Sequence, residues 1–442
     1  MKSVYKIVLV FFVLTSCKPE FSEPEYTTGE VDPYRFVAIG DEFTAGYADG
    51  AYYYEAQKNS YAFILAEHFR KVSETNFVVP FVNQSSVGFG LNGKSRTALA
   101  YATDCLGASS LKPVPVASFG DSSIFQINLF PTDGPFNNMG IPEMKMIDVN
   151  KQGYGNSLNG NRYYNRIASD PSVASVLDDA YINTPTFFSI FLGINDVLAY
   201  AMKGGASNFI SPVNGLVNVG FESSLRNAVT SLKSNGANGI ISTIPDITDF
   251  PYFTTIPANG LNLDSSNAAT LNSIYNPLGI SFQVGSNYFT MEDTAAGIFA
   301  VRKIKSSEKI LLSIPLDSVK CYKLGSVYPI PNRFILNENE ISAIQTAVAN
   351  YNLVIRSIAQ EYDLALVDAY SFFKSVKSGI SYNGISMNMQ FVSGGFFSLD
   401  GIHLNPRGNA LLANEFIKSI NLTFKSNFPL VDVTKYSGIL FP

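Results

Sequence analysis

Three short segments, far apart in the chain, carry residue types that together can perform acyl transfer. Asp400-Gly401-Ile402-His403 contains one of only two histidines in 442 residues. Asp400, three positions earlier, can accept a hydrogen bond from the imidazole and fix its tautomer. Gly193-Ile194-Asn195-Asp196 offers Asn195, whose side-chain N–H can meet a developing oxyanion. Ala38-Ile39-Gly40-Asp41-Glu42-Phe43-Thr44-Ala45-Gly46 offers backbone N–H groups around Asp41 and Glu42 as further donors. The other histidine, His68, stands beside Leu65 and Phe69 on a helical stretch and is expected to be structural.

The elements around these segments explain how they could meet. Arg35-Phe36-Val37-Ala38-Ile39-Gly40 is a short apolar run that stops at a glycine, as a buried strand does. Phe187 to Leu192 is nearly continuous in apolar residues, the pattern of a strand covered on both faces. Gly239 to Ile244 and Leu364 to Asp368 are two more such runs. Helices are expected near Tyr61 to Phe69, through Leu225, Val229 and Leu232 with Gly236 as a C-cap, and over about Asn409 to Ile420. The clearest is the three-and-four spacing of Ile341, Ile344, Val348, Tyr351, Ile355, Ile358 and Tyr362. Strands alternating with helices predict an α/β fold with a parallel sheet. Each chemical segment then falls at the C-terminal end of a strand or before a helix, where open α/β sheets form their ligand crevice. Residues 84–180 and 250–335 break the rhythm with Gly, Asn, Ser, Pro and Tyr. They are expected as two insertions in a single domain spanning 34–442.

Composition removes other classes. A 46% hydrophobic content supports a packed core. A net charge of −5 argues against a nucleic-acid partner. Two histidines exclude a multi-histidine zinc site, and no phosphate-cradling glycine loop or metal cluster points to a cofactor. Three cysteines cannot build a disulfide scaffold. Cys105 and Cys321 could pair in an oxidising compartment, but their spacing does not decide it.

The segment Phe397-Ser398-Leu399-Asp400-Gly401-Ile402-His403-Leu404-Asn405-Pro406-Arg407-Gly408 resembles the last motif of the SGNH, or GDSL, hydrolases. Gly193 to Ala201 is similar to their Asn motif, and Gly46-Tyr47-Ala48-Asp49-Gly50 continues their first block. The chain looks especially like the large lipoprotein members from Bacteroidetes. The resemblance implies a three-layer α/β/α sandwich with a parallel flavodoxin-like sheet. It also implies ester hydrolysis, with a lipid, an acyl ester or an acetylated glycan as partner.

Against that family pattern, the nucleophile is missing. Its first block has Gly-Asp-Ser, whereas this chain has Gly40-Asp41-Glu42. A further family block contributes a glycine N–H to the oxyanion hole. Its counterpart here is Asn137-Asn138-Met139-Gly140-Ile141-Pro142-Glu143, with Glu143 in place of that glycine. The expected site is therefore Glu42 at the nucleophile position, Asp400 and His403 as acid and base, and Asn195 and Glu143 at the oxyanion hole. A carboxylate at 42 can hold His403 protonated beside Asp400. It can also occupy the oxyanion donors with its own oxygens. Both oppose serine-esterase chemistry, leaving three readings: an ester hydrolase with Glu42 itself acting, an inactive relative that binds an acylated ligand, and a structural envelope lipoprotein. Ser122 in Gly120-Asp121-Ser122 copies the motif without a strand before it.

The N-terminus has a separate role. Lys2 and Lys6 lead into an apolar run, Ile7 to Leu14, far short of the roughly 20 residues that span a bilayer. The run ends in Leu14-Thr15-Ser16-Cys17, which resembles a bacterial lipobox, so residues 1–16 are expected as a signal peptide and Cys17 as the lipidation site. Residues 17–33 then form an acidic, proline-broken tether. The expected location is the outer membrane, on its periplasmic or surface face, with the lipid anchor as the membrane contact.

Overall fold

The computed structural model describes residues 25–206, 209–293, 297 and 300–442. The expected signal peptide and Cys17 lie outside the described residues.

Five strands make the central sheet: β1 (Phe36–Gly40), β2 (Asn138–Gly140), β3 (Phe187–Phe191), β4 (Asn238–Ser242) and β5 (Ala365–Val367). Their order is β5-β4-β3-β1-β2, and every pairing is parallel. β1 and β3 are buried at every residue, which is why their sequences are apolar without alternation. Helices α1 (Glu42–Ala45), α2 (Tyr61–Arg70), α3 (Asn195–Ala201), α4 (Phe221–Lys233), α5 (Glu338–Glu361) and α6 (Pro406–Phe424) surround it. α2 and α6 pack together, with Tyr61 stacked on Phe416 at 4.6 Å. Phe221 of α4 stacks on Tyr351 of α5 at 4.2 Å. α5 starts at a reciprocal cap in which Asn337 accepts from Glu340 N–H and the Glu340 carboxylate accepts from Asn337 N–H. The result is the expected three-layer α/β/α arrangement.

The region 84–180 is more than an insertion, because it contributes the edge strand β2 to the main sheet. It also carries an antiparallel hairpin, Thr97–Thr103 with Ser109–Pro115. The region 250–335 has its own small apolar centres, one around Phe289, Ile304, Ile310 and Ile330, another around Leu263, Leu271 and Phe282. Cys105, at the hairpin tip, forms a disulfide with Cys321 across 216 residues, their Cα atoms 6.4 Å apart. An ion pair between Asp104 and Lys320 lies beside it. The two regions are thus covalently joined.

Candidate active site

The turn after β1 is tight enough to need a glycine. A Cβ on Gly40 would meet Thr44 Oγ1 at 2.0 Å and Phe191 O at 2.5 Å. Asp41 caps α1 by accepting from Phe43 N–H at 3.0 Å. Gly46, with φ of 84°, closes the helix by donating to Glu42 O. Glu42 is thereby set at the first position of α1, facing β2. Gly140 packs so closely on α1 that a Cβ there would meet Ala45 N at 2.2 Å.

The chain leaving β2 turns over the same spot. Ile141 N–H donates to Gly40 O at 2.8 Å, and Met146 N–H donates to the Asp196 carboxylate at 2.7 Å. Between these two ties Glu143 adopts a φ of 69°, the left-handed region that favours glycine. The backbone keeps a glycine's conformation although the residue is Glu. Its N–H points inward and donates to Glu42 Oε1 at 2.8 Å.

Asn195 begins α3 directly after β3. Its Nδ2 donates to Glu42 Oε2 at 2.6 Å and lies 3.3 Å from Met144 O. The two expected oxyanion donors therefore converge, and the Glu42 carboxylate occupies both. The Phe43 N–H near the turn is committed to Asp41.

His403 comes from the loop before α6. Asp400 Oδ1 accepts from the backbone N–H groups of Ile402 and His403, both at 2.8 Å. Asp400 Oδ2 accepts from His403 Nδ1 at 2.9 Å and from Gly50 N–H at 3.0 Å. The ring packs against Phe43 and Tyr47, at centroid distances of 5.3 and 4.7 Å. Nε2, the atom that would take a nucleophile's proton, is buried with no hydrogen-bond partner. Glu42, Asn195 and His403 are 2%, 5% and 4% exposed, so the centre is closed to solvent.

The electrostatics follow from burial and crowding. Burial alone would lower His403, but Asp400, with smaller contributions from Glu42 and Asp49, holds it above its usual value. Burial pushes Asp400 up, yet His403 and the loop N–H groups outweigh it and keep it low. Burial and the Glu42 charge push Asp41 well up and Glu143 up. Burial raises Asp196 to about 7. Of the two effects expected for Glu42, its hydrogen bonds correspond to the second, since its oxygens accept from Glu143 N–H and Asn195 Nδ2. Its charge reaches His403, but its oxygens bond elsewhere.

The family model for GDSL-like lipase/acylhydrolase matches residues 36–416, a span that contains every one of these residues. The chain belongs to the GDSL-like lipase/acylhydrolase family. Membership places it in a hydrolase class whose substrates are esters and lipids. Two solved structures are among those to which the chain is similar. One is LAE5, an alpha/beta hydrolase enzyme from the metagenome of Lake Arreo, Spain, at 13% identity and a TM-score of 0.36, over 89% of this chain and 97% of that one. The other is the lipase/acylhydrolase from Enterococcus faecalis, at 13% identity and a TM-score of 0.32, with the same coverage. The search of curated proteins found no match.

Other expected residues fall outside the site. His68 bonds Pro429 O through Nδ1 and Lys71 through Nε2, a structural role. Ser122 opens an exposed 3-10 turn capped by Asp121. Sequence reasoning left aside Asp49, which bonds to Leu399 N–H, and did not foresee Asp196 as the tie behind Glu143. The Asp49-Gly50 pair was a visible turn signal.

Proposed function

We propose that this chain is a non-hydrolysing member of its family, in which the acyl-transfer route is closed by its own carboxylate. The observation that carries this reading is the Glu42 carboxylate spanning Glu143 N–H and Asn195 Nδ2. Acyl transfer needs a nucleophile at position 42 and both donors open to the substrate oxyanion. Here the nucleophile is replaced, and the replacement fills the hole with two charge-assisted bonds. An ester carbonyl could enter only by displacing them. Asp400 still holds His403 and Asn195 still points its amide at position 42, so the principal loss lies at that residue.

The remaining role is that of a binding or structural protein of the cell envelope, directed at an acyl ester, a lipid or an acetylated glycan. We infer that Cys17 carries it on the outer membrane. The run Ile7 to Leu14 with Leu14-Thr15-Ser16-Cys17 supports this, as does the Cys105–Cys321 disulfide, which suits an exported protein. Mass spectrometry of the mature N-terminus should find an acylated Cys17. A free terminus elsewhere contradicts the anchor.

A second reading, in which Glu42 is the working carboxylate, has one observation in its favour: the unpartnered Nε2 of His403, whose ring the Glu42 charge reaches. Labelling with a fluorophosphonate and turnover of p-nitrophenyl esters separate the two. The proposal expects no adduct and no turnover in the wild type. Turnover abolished by Glu42→Ala establishes the second reading instead.

A further inference from the structure

Asp49 belongs to none of the segments that supply the chemistry, yet it ties two of them together. It adopts a φ of 54°, a left-handed conformation that costs most side chains but that Asp tolerates. Its Oδ1 accepts from Leu399 N–H at 3.0 Å, and its own N–H donates to Ser398 Oγ at 3.0 Å. Oδ2 accepts from Tyr53 OH at 2.7 Å. Its carbonyl accepts from Thr97 N–H at 2.8 Å and Thr97 Oγ1 at 3.1 Å. The next residue, Gly50, donates to Asp400 Oδ2, the oxygen that also receives His403 Nδ1. Residues 398, 399 and 400 are thus each held by 49 or 50.

We infer that Asp49 is a positioning residue of the site: by clamping residues 398–400 it holds Asp400 Oδ2 on His403 Nδ1. A carboxylate suits the place for two reasons. It accepts from a backbone N–H and a phenol at once, which no shorter or apolar side chain could do. It also stands near Asp400 and Arg96, so its charge is part of the field around His403. The charges acting on that ring are those of Asp400, Glu42 and Asp49, with Phe43 and Tyr47 as its aromatic walls.

The inference rests on the site described above but not on whether it turns over ester, so the test reads His403 itself. With two histidines in the chain, ring-15N labelling of the whole protein gives two imidazoles, and His68 serves as an internal reference. Asp49→Asn keeps the left-handed turn and the acceptor for Leu399 but removes the charge. His403 should then titrate at lower pH while its Nδ1–H signal on Asp400 persists. Asp49→Ala should lose that signal as well, because residues 398–400 are released. Tyr53→Phe removes one hydrogen bond without touching the backbone and should shift His403 in the same direction, by less. His68 should not move in any of them. In a Glu42→Ser background, Asp49→Ala should lower kcat by roughly ten- to a hundred-fold at unchanged KM, the cost of a mis-set base. If Glu42→Ser shows no activity, the proposed function fails while the His403 titration still decides this inference. Unchanged His403 titration and Nδ1–H signals in all three variants would overturn it.

Discussion

Glu42→Ser is the most informative single change. In a Ser–His–Asp site, loss of the nucleophile alone costs on the order of 10⁶ in kcat and leaves roughly 10³–10⁴ over water from the oxyanion hole and binding. In this chain the hole is filled as well, because Oε1 and Oε2 of Glu42 hold Glu143 N–H at 2.8 Å and Asn195 Nδ2 at 2.6 Å. Wild-type hydrolysis of p-nitrophenyl acetate or butyrate should therefore sit near the uncatalysed rate. Serine at 42 places a hydroxyl on the same turn, frees both donors and removes one of the charges that raise His403. Its Oγ can attack the carbonyl while Nε2 takes the proton and later returns it to the leaving alcohol. One oxyanion donor is typically worth about 10²–10³ in kcat, so two donors and a nucleophile should return at least about 10³-fold over wild type. Part of the gain is withheld by the Glu143 side chain, whose charge opposes a nearby oxyanion. Adding Glu143→Gly should raise the rate about tenfold again, the effect of relieving roughly 1.4 kcal/mol of like-charge repulsion. His403→Ala in either variant should return the rate to the wild-type level. Robust wild-type hydrolysis that disappears in Glu42→Ala refutes the reasoning, as does hydrolysis indifferent to His403→Ala.

Three further outcomes follow from the same geometry. Glu143→Gly alone should raise the unfolding free energy by about 1–2 kcal/mol, because a side chain no longer occupies the left-handed region at φ of 69°, and chemical denaturation measures it. Stability should fall as pH rises from about 4 through 8. Asp196, raised by burial from 3.8 to about 7, binds more protons folded than unfolded in that range, Asp41 and Glu143 lean the same way, and His403 contributes stability present below 6.5 and lost as pH rises through its higher folded value. Asp196→Asn should therefore stabilise the protein at pH 8, by up to about 4 kcal/mol, and change little at pH 4, and a wild-type melting temperature that is flat or rises between pH 5 and 8 contradicts this. Replacing Cys105 and Cys321 together by alanine should cost about 2–5 kcal/mol, since a long loop of the unfolded chain is no longer closed, and an unchanged denaturation midpoint refutes it.

Much of the scaffold is legible in the residues because both faces of the sheet are covered. Phe36–Gly40 and Phe187–Phe191 announce themselves as continuous apolar runs, and the stripe from Ile344 to Ile358 as a helix. β2 does not. It is three residues, Asn-Met-Gly, and it stands at the sheet edge because Asn138 bonds Thr44 O and Gly140 N–H rather than because it is apolar. The types and order of Glu42, Asn195, Asp400 and His403 are equally visible in the chain. Where Glu42 points is not, since its partners lie 101 and 153 residues away and one of them is a backbone N–H set by a left-handed turn. The same distance hides Asp49, whose Leu399 contact spans 350 residues, and the disulfide, whose closure depends on how two irregular regions fold.

The direct measurement of the central claim is a crystal structure of the wild-type protein at a resolution that separates the Glu42 carboxylate oxygens. The account predicts Oε1 on Glu143 N–H and Oε2 on Asn195 Nδ2, with His403 Nδ1 on Asp400. A Glu42 side chain turned toward His403 Nε2, with an ordered water or anion held between Glu143 N–H and Asn195 Nδ2, would contradict it.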